Sequence, residues 1–266
     1  MSARQSPARA SAAVLADLVR PLRSILALAD FSPKSDNAVA RAALLAREHG
    51  AQLHLLHVVA PRRRAVAALR RRKRDDAEVA LERAALTLAA LATRSACTHG
   101  VSATCCVRTG DALQVILEGA QGADLVVVAA KRPNPLRDFV LRTPTERLLR
   151  IVQRPMLIVK RPALARYGAM LVPGAEAMQG GGVDPAIDDA SSEADELVVV
   201  PKDGQSAMGR FLLGRLAQRL VAQAACDVLL LPTAATFPAD RKQAPASALA
   251  SSRPIEAPPR GRPRTA

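Results

Sequence analysis

Short apolar runs alternate with longer stretches of helical period along most of this chain. Residues 24–30, SILALAD, form an apolar run too short for a buried helix, and the turn chemistry of FSPKSD follows, so a strand is predicted. Ala38, Ala42, Leu45 and His49 then recur at helical spacing, and Gly50 supplies a stop. QLHLLHVV (52–59) predicts a second strand, the Arg-, Ala- and Leu-rich residues 65–93 a long helix, and VSATCCV (101–107) a third strand. Gly110 and Asp111 open the helix ALQVILEGA, with Asp111 as its N-cap. LVVVAA and PMLIVK predict the fourth and fifth strands, separated by AAKRPNPLRDFVLRTPTER (129–147) and a helix. Strands that alternate with helices imply an α/β fold with a parallel sheet covered on both faces.

The pattern then repeats. A shift of 72 positions lays Leu125, Val126, Val127 and Val128 on Leu197, Val198, Val199 and Val200, and Leu157 on Leu229. ILALAD from Ile25 resembles MLVPGA from Met170, but at a shift of 145. The second copy therefore lacks what the first places between its first and fourth strands, and QGGGVDPAIDDASSEAD bridges the gap as a loop. The expected organisation is a flexible N-terminus over 1–20, a complete domain over 21–162, a truncated second domain over 163–235 and a disordered Pro/Ala/Ser/Arg-rich tail over 236–266.

Composition narrows the chemistry. Aromatic residues are 2% of the chain, so the core is built from Ala, Val and Leu. No apolar run reaches the roughly 18–20 residues of a membrane helix, and a cytoplasmic protein with no membrane partner is expected. Cys97, Cys105, Cys106 and Cys226 have neither metal-ligand nor disulfide spacing and read as small apolar residues. His49, His54, His57 and His99 lack neighbouring carboxylates or thiols at ligand spacing, so no metal site is expected. The net charge of +14 is concentrated in PRRRAVAALRRRKRDD and the tail. Arg71, Arg72 and Arg74 each precede an acid by four residues, in Asp75, Asp76 and Glu78, and no aromatics interleave. That is the pattern of a solvated, ion-paired helix face rather than of a nucleic-acid site.

Four segments together, ILALADFSPKSDNAVARAALLAREHGAQLHLLHVV, GDALQVILEGAQGADLVVVAAK, LRTPTERLLRIVQRPMLIVK and GQSAMGRFLLGRLAQRLVAQAACDVLLLP, resemble the universal stress protein family in its tandem two-domain form. The resemblance implies a Rossmann-like parallel sheet of five strands in the order 3-2-1-4-5, with domains joined through their fifth strands. Removing the segment between strands 1 and 4 would take away strands 2 and 3 and leave a shortened copy with strands 1, 4 and 5.

The resemblance also implies a nucleotide site. ATP-binding members carry G-x2-G-x9-G-[ST], and here those positions fall on Ala129, Arg132, Arg142 and Thr143. Thr143, Pro144 and Glu146 also make a helix cap, and Pro144 has no N–H for a phosphate. Asp30 falls where the family places an acid on the adenosine part, and Val58 where a strand-2 backbone reads adenine. In the second copy Gly204 and Gly214 occupy two glycine positions, while Pro201, Arg215 and Ala175 replace the first glycine, the hydroxyl and the acid. The expectation is a non-catalytic stress-response module with a degenerate nucleotide site, acting through a protein partner or as a homo-oligomer. No resident cofactor is expected. The alternative is an ATP- or AMP-binding sensor whose phosphate contacts come from Arg132 and Arg142. Nothing in the sequence supplies the nucleophile, base and metal set of an enzyme.

Overall fold

The computed structural model describes residues 22–60, 70–130, 148–149, 151–163, 166–167, 169–171, 196–201, 217, 220–221 and 224–232, with the side chains of 70–77, 169–171 and 196 outside that description. Eight strands form one sheet: β1 (Ser24–Leu28), β2 (Gln52–Val59), β3 (Ala103–Thr109), β4 (Leu125–Ala129), β5 (Met156–Val159), β6 (Ala169–Leu171), β7 (Glu196–Pro201) and β8 (Asp227–Leu231). Their order is β3-β2-β1-β4-β5-β8-β7-β6. The first five strands are parallel in the order 3-2-1-4-5, as the resemblance implied. β6, β7 and β8 are parallel to one another, and the one antiparallel step is β5·β8.

Strand residues divide between two cores because successive side chains leave a strand on opposite faces. Leu26, Leu56, Cys106, Val126, Val128 and Ile158 belong to one core, and Ile25, Ala27, Leu53, Leu55, Val127 and Leu157 to the other. The adjacent thiols follow this alternation: Cys106 joins the first core and Cys105 packs against the second. Burying each large aliphatic side chain stabilises the fold by about 1.5–3 kcal/mol.

Among the described residues, three helices with defined bounds pack on the first five strands. α1 (Pro33–His49) starts at Ser32, whose side chain accepts from Ser35 N, and has Pro33 at its first turn. It ends at Gly50 (φ 63°), which donates to Ala46 O. A β-branched or bulky residue there would be strained, because the left-handed region favours glycine. α3 (Ala112–Ala120) is capped by Asp111, which accepts from Leu113 N and Gln114 N.

α2 (Arg70–His99) runs six residues past the predicted end at Thr93, and its predicted start lies outside the described residues. Its buried face, Ala84, Leu88, Leu91 and Ser95, continues through a serine that apolar periodicity does not register, and Gly100 (φ 70°) follows the last helical residue. β3 accordingly begins at Ala103 rather than Val101 and continues through Arg108 and Thr109. Its register against β2 runs from Leu53↔Ala103 to Val59↔Thr109. Arg108, a polar residue the strand prediction left out, pairs with Glu118 of α3 at 2.7 Å. That contact holds the Glu118 carboxyl below its ordinary pKa.

Candidate functional site

The chain goes from β1 outward to β2 and β3, then returns to β4 on the other side of β1. Open α/β sheets bind ligands at the carboxyl ends of the strands where the order reverses in this way. A cavity of about 260 Å³ opens there, lined by Leu28, Ala29, Asp30 and Ser35 from β1 and α1, and by Leu56, His57 and Val58 from β2. Leu113 and Ile116 of α3, Val128 and Ala129 of β4, and Leu148 and Met156 complete its mostly apolar floor.

The β1–α1 turn is fixed by its own side chains. Asp30 Oδ1 accepts from Ser32 N at 3.0 Å and from Ser32 Oγ at 2.5 Å, an Asx-type turn. Buried Ser35 accepts from Asp30 N at 3.0 Å and donates to Leu28 O at 3.4 Å. Between them Phe31 has φ 61°, unusual for a bulky residue and costly by about 1–2 kcal/mol. Its ring stacks on His57 with centroids 4.1 Å apart. His57 Nδ1 donates to Ala29 O at 2.7 Å, which ties the end of β2 to the end of β1.

Val58 stands beyond the reach of β1. The β1·β2 register ends at Leu28↔Leu56, whereas β2 continues against β3 to Val59, so the β1-facing edge of Val58 opens on the cavity. Lys34, exposed on the first turn of α1, donates to Ala130 O at 3.3 Å and places a cation at the mouth.

The structure thus brings Asp30, Val58 and Ala129 together around one cavity. Arg132, Arg142, Thr143, Gly204 and Gly214 lie outside the described residues, as do Thr143–Glu146 as a cap and the paired acids Asp75 and Asp76 as side chains. Sequence reasoning missed Ser35, Phe31, Lys34 and the floor residues Ile116 and Met156. The signal for Ser35 was present in the spacing of Asp30, Ser32 and Ser35, which lets one turn satisfy its own backbone.

Cys105 donates to Leu88 O at 3.5 Å, and burial raises its pKa, which keeps it a thiol. Desolvation lowers the pKa of His54, favouring the neutral ring. Among the described residues, no cluster of His, Cys, Asp and Glu could hold a metal ion. No described helix is long and apolar enough to cross a membrane.

Comparison with known proteins gives these features a context. Residues 21–160 match the sequence model of the Universal stress protein family. No curated protein matches the chain. Among solved structures, the functionally unknown protein PA1789 from Pseudomonas aeruginosa PAO1 is similar with a TM-score of 0.50 at 18% identity, over 84% of this chain and 95% of that one. A universal stress protein from Archaeoglobus fulgidus DSM 4304 gives 0.51 at 10% identity, over 79% and 96%. Residues 21–160 alone are too few for such coverage, so the likeness in fold reaches into the C-terminal part of the chain.

Proposed function

The chain belongs to the universal stress protein family, and from that premise we propose that it is a non-catalytic stress-response module that keeps the base half of a nucleotide pocket without its glycine phosphate loop and works through protein association. The observation that carries this reading is the cavity between β1, β2 and β4, with Asp30 at its mouth and Val58 and Ala129 on its walls. At about 260 Å³ it falls below the roughly 300–1,000 Å³ of pockets for drug-sized ligands. A base or nucleoside suits that volume better than a triphosphate. In the sequence, Arg132 and Arg142 stand at the motif positions where glycines would let the backbone approach a phosphate chain, and Pro144 has no N–H to offer.

Lys34 favours a second reading. A cation at the cavity mouth, joined by the two loop arginines, would hold an anion by side chains instead of backbone N–H groups. The protein would then be an ATP- or AMP-binding sensor. Mass spectrometry of small molecules released from freshly denatured protein separates the two. The module reading expects no nucleotide at stoichiometric yield; stoichiometric ATP or AMP overturns it and establishes the sensor.

A further inference from the structure

The β5·β8 seam, where the first unit (β1–β5) meets the second (β6–β8), ends in a lysine and a cysteine. The antiparallel register runs Met156↔Leu230, Leu157↔Leu229 and Ile158↔Val228. Continued by two steps, it sets Lys160 opposite Cys226, one residue outside each strand. Directly opposed residues of an antiparallel pair leave the sheet on the same face, with Cβ atoms about 4.5–5.5 Å apart. Cys226 shares the core of Met156 and Ile158, and alternation along β5 sends Lys160 to that same face.

The backbone is tied at this point. Asp227 Oδ1 accepts from the backbone N–H groups of Lys160, at 2.7 Å, and Arg161, at 3.2 Å, which fastens the end of β5 to the start of β8. The Lys160 side chain turns back over the seam: its Nζ donates to Leu220 O at 2.9 Å and to Ala224 O at 2.5 Å, and Ala224 stands two residues before Cys226. Lys160 is half-buried and Cys226 is 1% exposed. Desolvation lowers the lysine pKa to about 8, and the opposing attraction comes first from Cys226 and then from Asp227. Part of the amine is therefore neutral and nucleophilic near neutral pH.

We propose that Cys226 and Lys160 form a redox clip across the seam, a sulfur–nitrogen bond made when a peroxide oxidises the thiol. The sulfur attacks one oxygen of hydrogen peroxide, the O–O bond breaks, water leaves and Cys226 becomes a sulfenic acid. Lys160 Nζ then attacks that sulfur; the S–O bond breaks, and the hydroxyl leaves with an amine proton as a second water. Thiol, amine and peroxide thus give one S–NH link and two waters, with the sulfur oxidised by two electrons and the peroxide reduced. A sulfenic acid condenses with a thiol or with a nitrogen, whichever is in reach. Cys97, Cys105 and Cys106 belong to α2 and β3, at the opposite edge of the sheet from the second unit, whereas the Lys160 amine is the cross-strand neighbour. The pair lies at the end of the ladder, where local opening admits a small peroxide. The clip would fasten the C-terminal strands to the first unit under oxidising conditions and release them when a thiol reduces the S–N bond.

The test uses the full chain with Cys97→Ser, which removes the exposed thiol. Folded protein treated with hydrogen peroxide and then digested should give a peptide pair joining Lys160 to Cys226, with the mass of the two peptides less two hydrogens. Dithiothreitol should return both peptides. Lys160→Arg keeps the charge and the donors without the nucleophile; it should abolish the link and leave Cys226 as a sulfenic acid that dimedone traps. Hydrogen exchange at the β8 amides should slow about tenfold on oxidation of the parent chain and not of Lys160→Arg. If Lys160→Arg fails to fold, Cys226→Ala takes its place and should leave Lys160 unlinked. Three results overturn the clip: no linked pair in the folded parent, Cys226 oxidised to a sulfinic acid or a disulfide with Lys160 unmodified, or an equal yield of the link in protein unfolded by guanidinium before oxidation.

Discussion

The strands β1–β5 and β6–β8 meet the same burial requirement with unequal means. The first unit has α1 and α2 against one face and α3 against the other, and its strands contribute to both cores. Among the described residues, the apolar side chains of β7 and β8 form no core separate from that of β1–β5. Val198, Val200, Val228 and Leu230 belong to the cluster of Val128, Met156 and Ile158, and Leu197, Val199 and Leu229 belong to that of Leu157 and Val159. Three strands bury too little area to offset the chain entropy they lose. The comparison teaches that β7 and β8 bury their apolar residues by continuing the sheet and cores of β1–β5.

Separating the units breaks that comparison most severely. Residues 163–235 expressed alone should be insoluble or molten, without a cooperative transition in circular dichroism; a soluble fragment that unfolds cooperatively would show that the second unit owns its stability.

The next effect concerns function, since the first unit has the cavity and the second has glycines at two loop positions. Replacing Arg132 and Arg142 by glycine, with Pro144→Val, tests whether the loop is what limits the first unit. Calorimetric titration should show ATP affinity rising by orders of magnitude, given about 1.5–3 kcal/mol for each charge-assisted hydrogen bond gained. A fall from measurable wild-type binding would instead identify the arginines as phosphate ligands.

The seam has a pH signature of its own. Desolvation lowers the Lys160 pKa from 10.5 to about 8, against opposing attraction from Cys226 and Asp227. Between those values the unfolded chain holds more protons than the folded one, so this group makes stability rise with pH across that window. Partial exposure of the ammonium reduces the gain to on the order of 1–2 kcal/mol. Tyr167 acts in the opposite sense: desolvation first, and then Asp227, raises its pKa, so its contribution is present below about pH 10 and lost above it. Denaturant titrations should therefore show stability climbing from pH 8 toward 10 and declining beyond, and Lys160→Met should flatten the climb.

The smallest effect sharpens the contrast from the other side. Asp111→Ala removes the α3 cap and should cost the first unit about 1 kcal/mol in chemical denaturation, with hydrogen exchange at the β8 amides unchanged until global unfolding.

Most elements were legible because their signals are local. Ser32, Pro33 and Gly50 bound α1, and Asp111 starts α3, by satisfying backbone groups within a few residues. The far end of α2 was not, because Ser95 is buried by α2's place in the packing and not by its own hydropathy. The site was half legible. Asp30, Val58 and Ala129 follow from a resemblance in motif order and converge on the cavity, while Ile116, Leu148 and Met156 line it from elements that no local pattern relates to β1.

By itself the sequence determined the periodicities and the helix caps, since each depends on residues near one another in the chain. Tertiary structure alone decided that Asp227 meets Arg41 and Tyr167, that Lys160 reaches Ala224, and that the second unit shares the first unit's cores. The physical reason is separation: these partners stand from 60 (Tyr167 to Asp227) to 186 positions (Arg41 to Asp227) apart, and a buried charge is tolerable only where folding has already brought its counter-charge and donors within hydrogen-bonding distance.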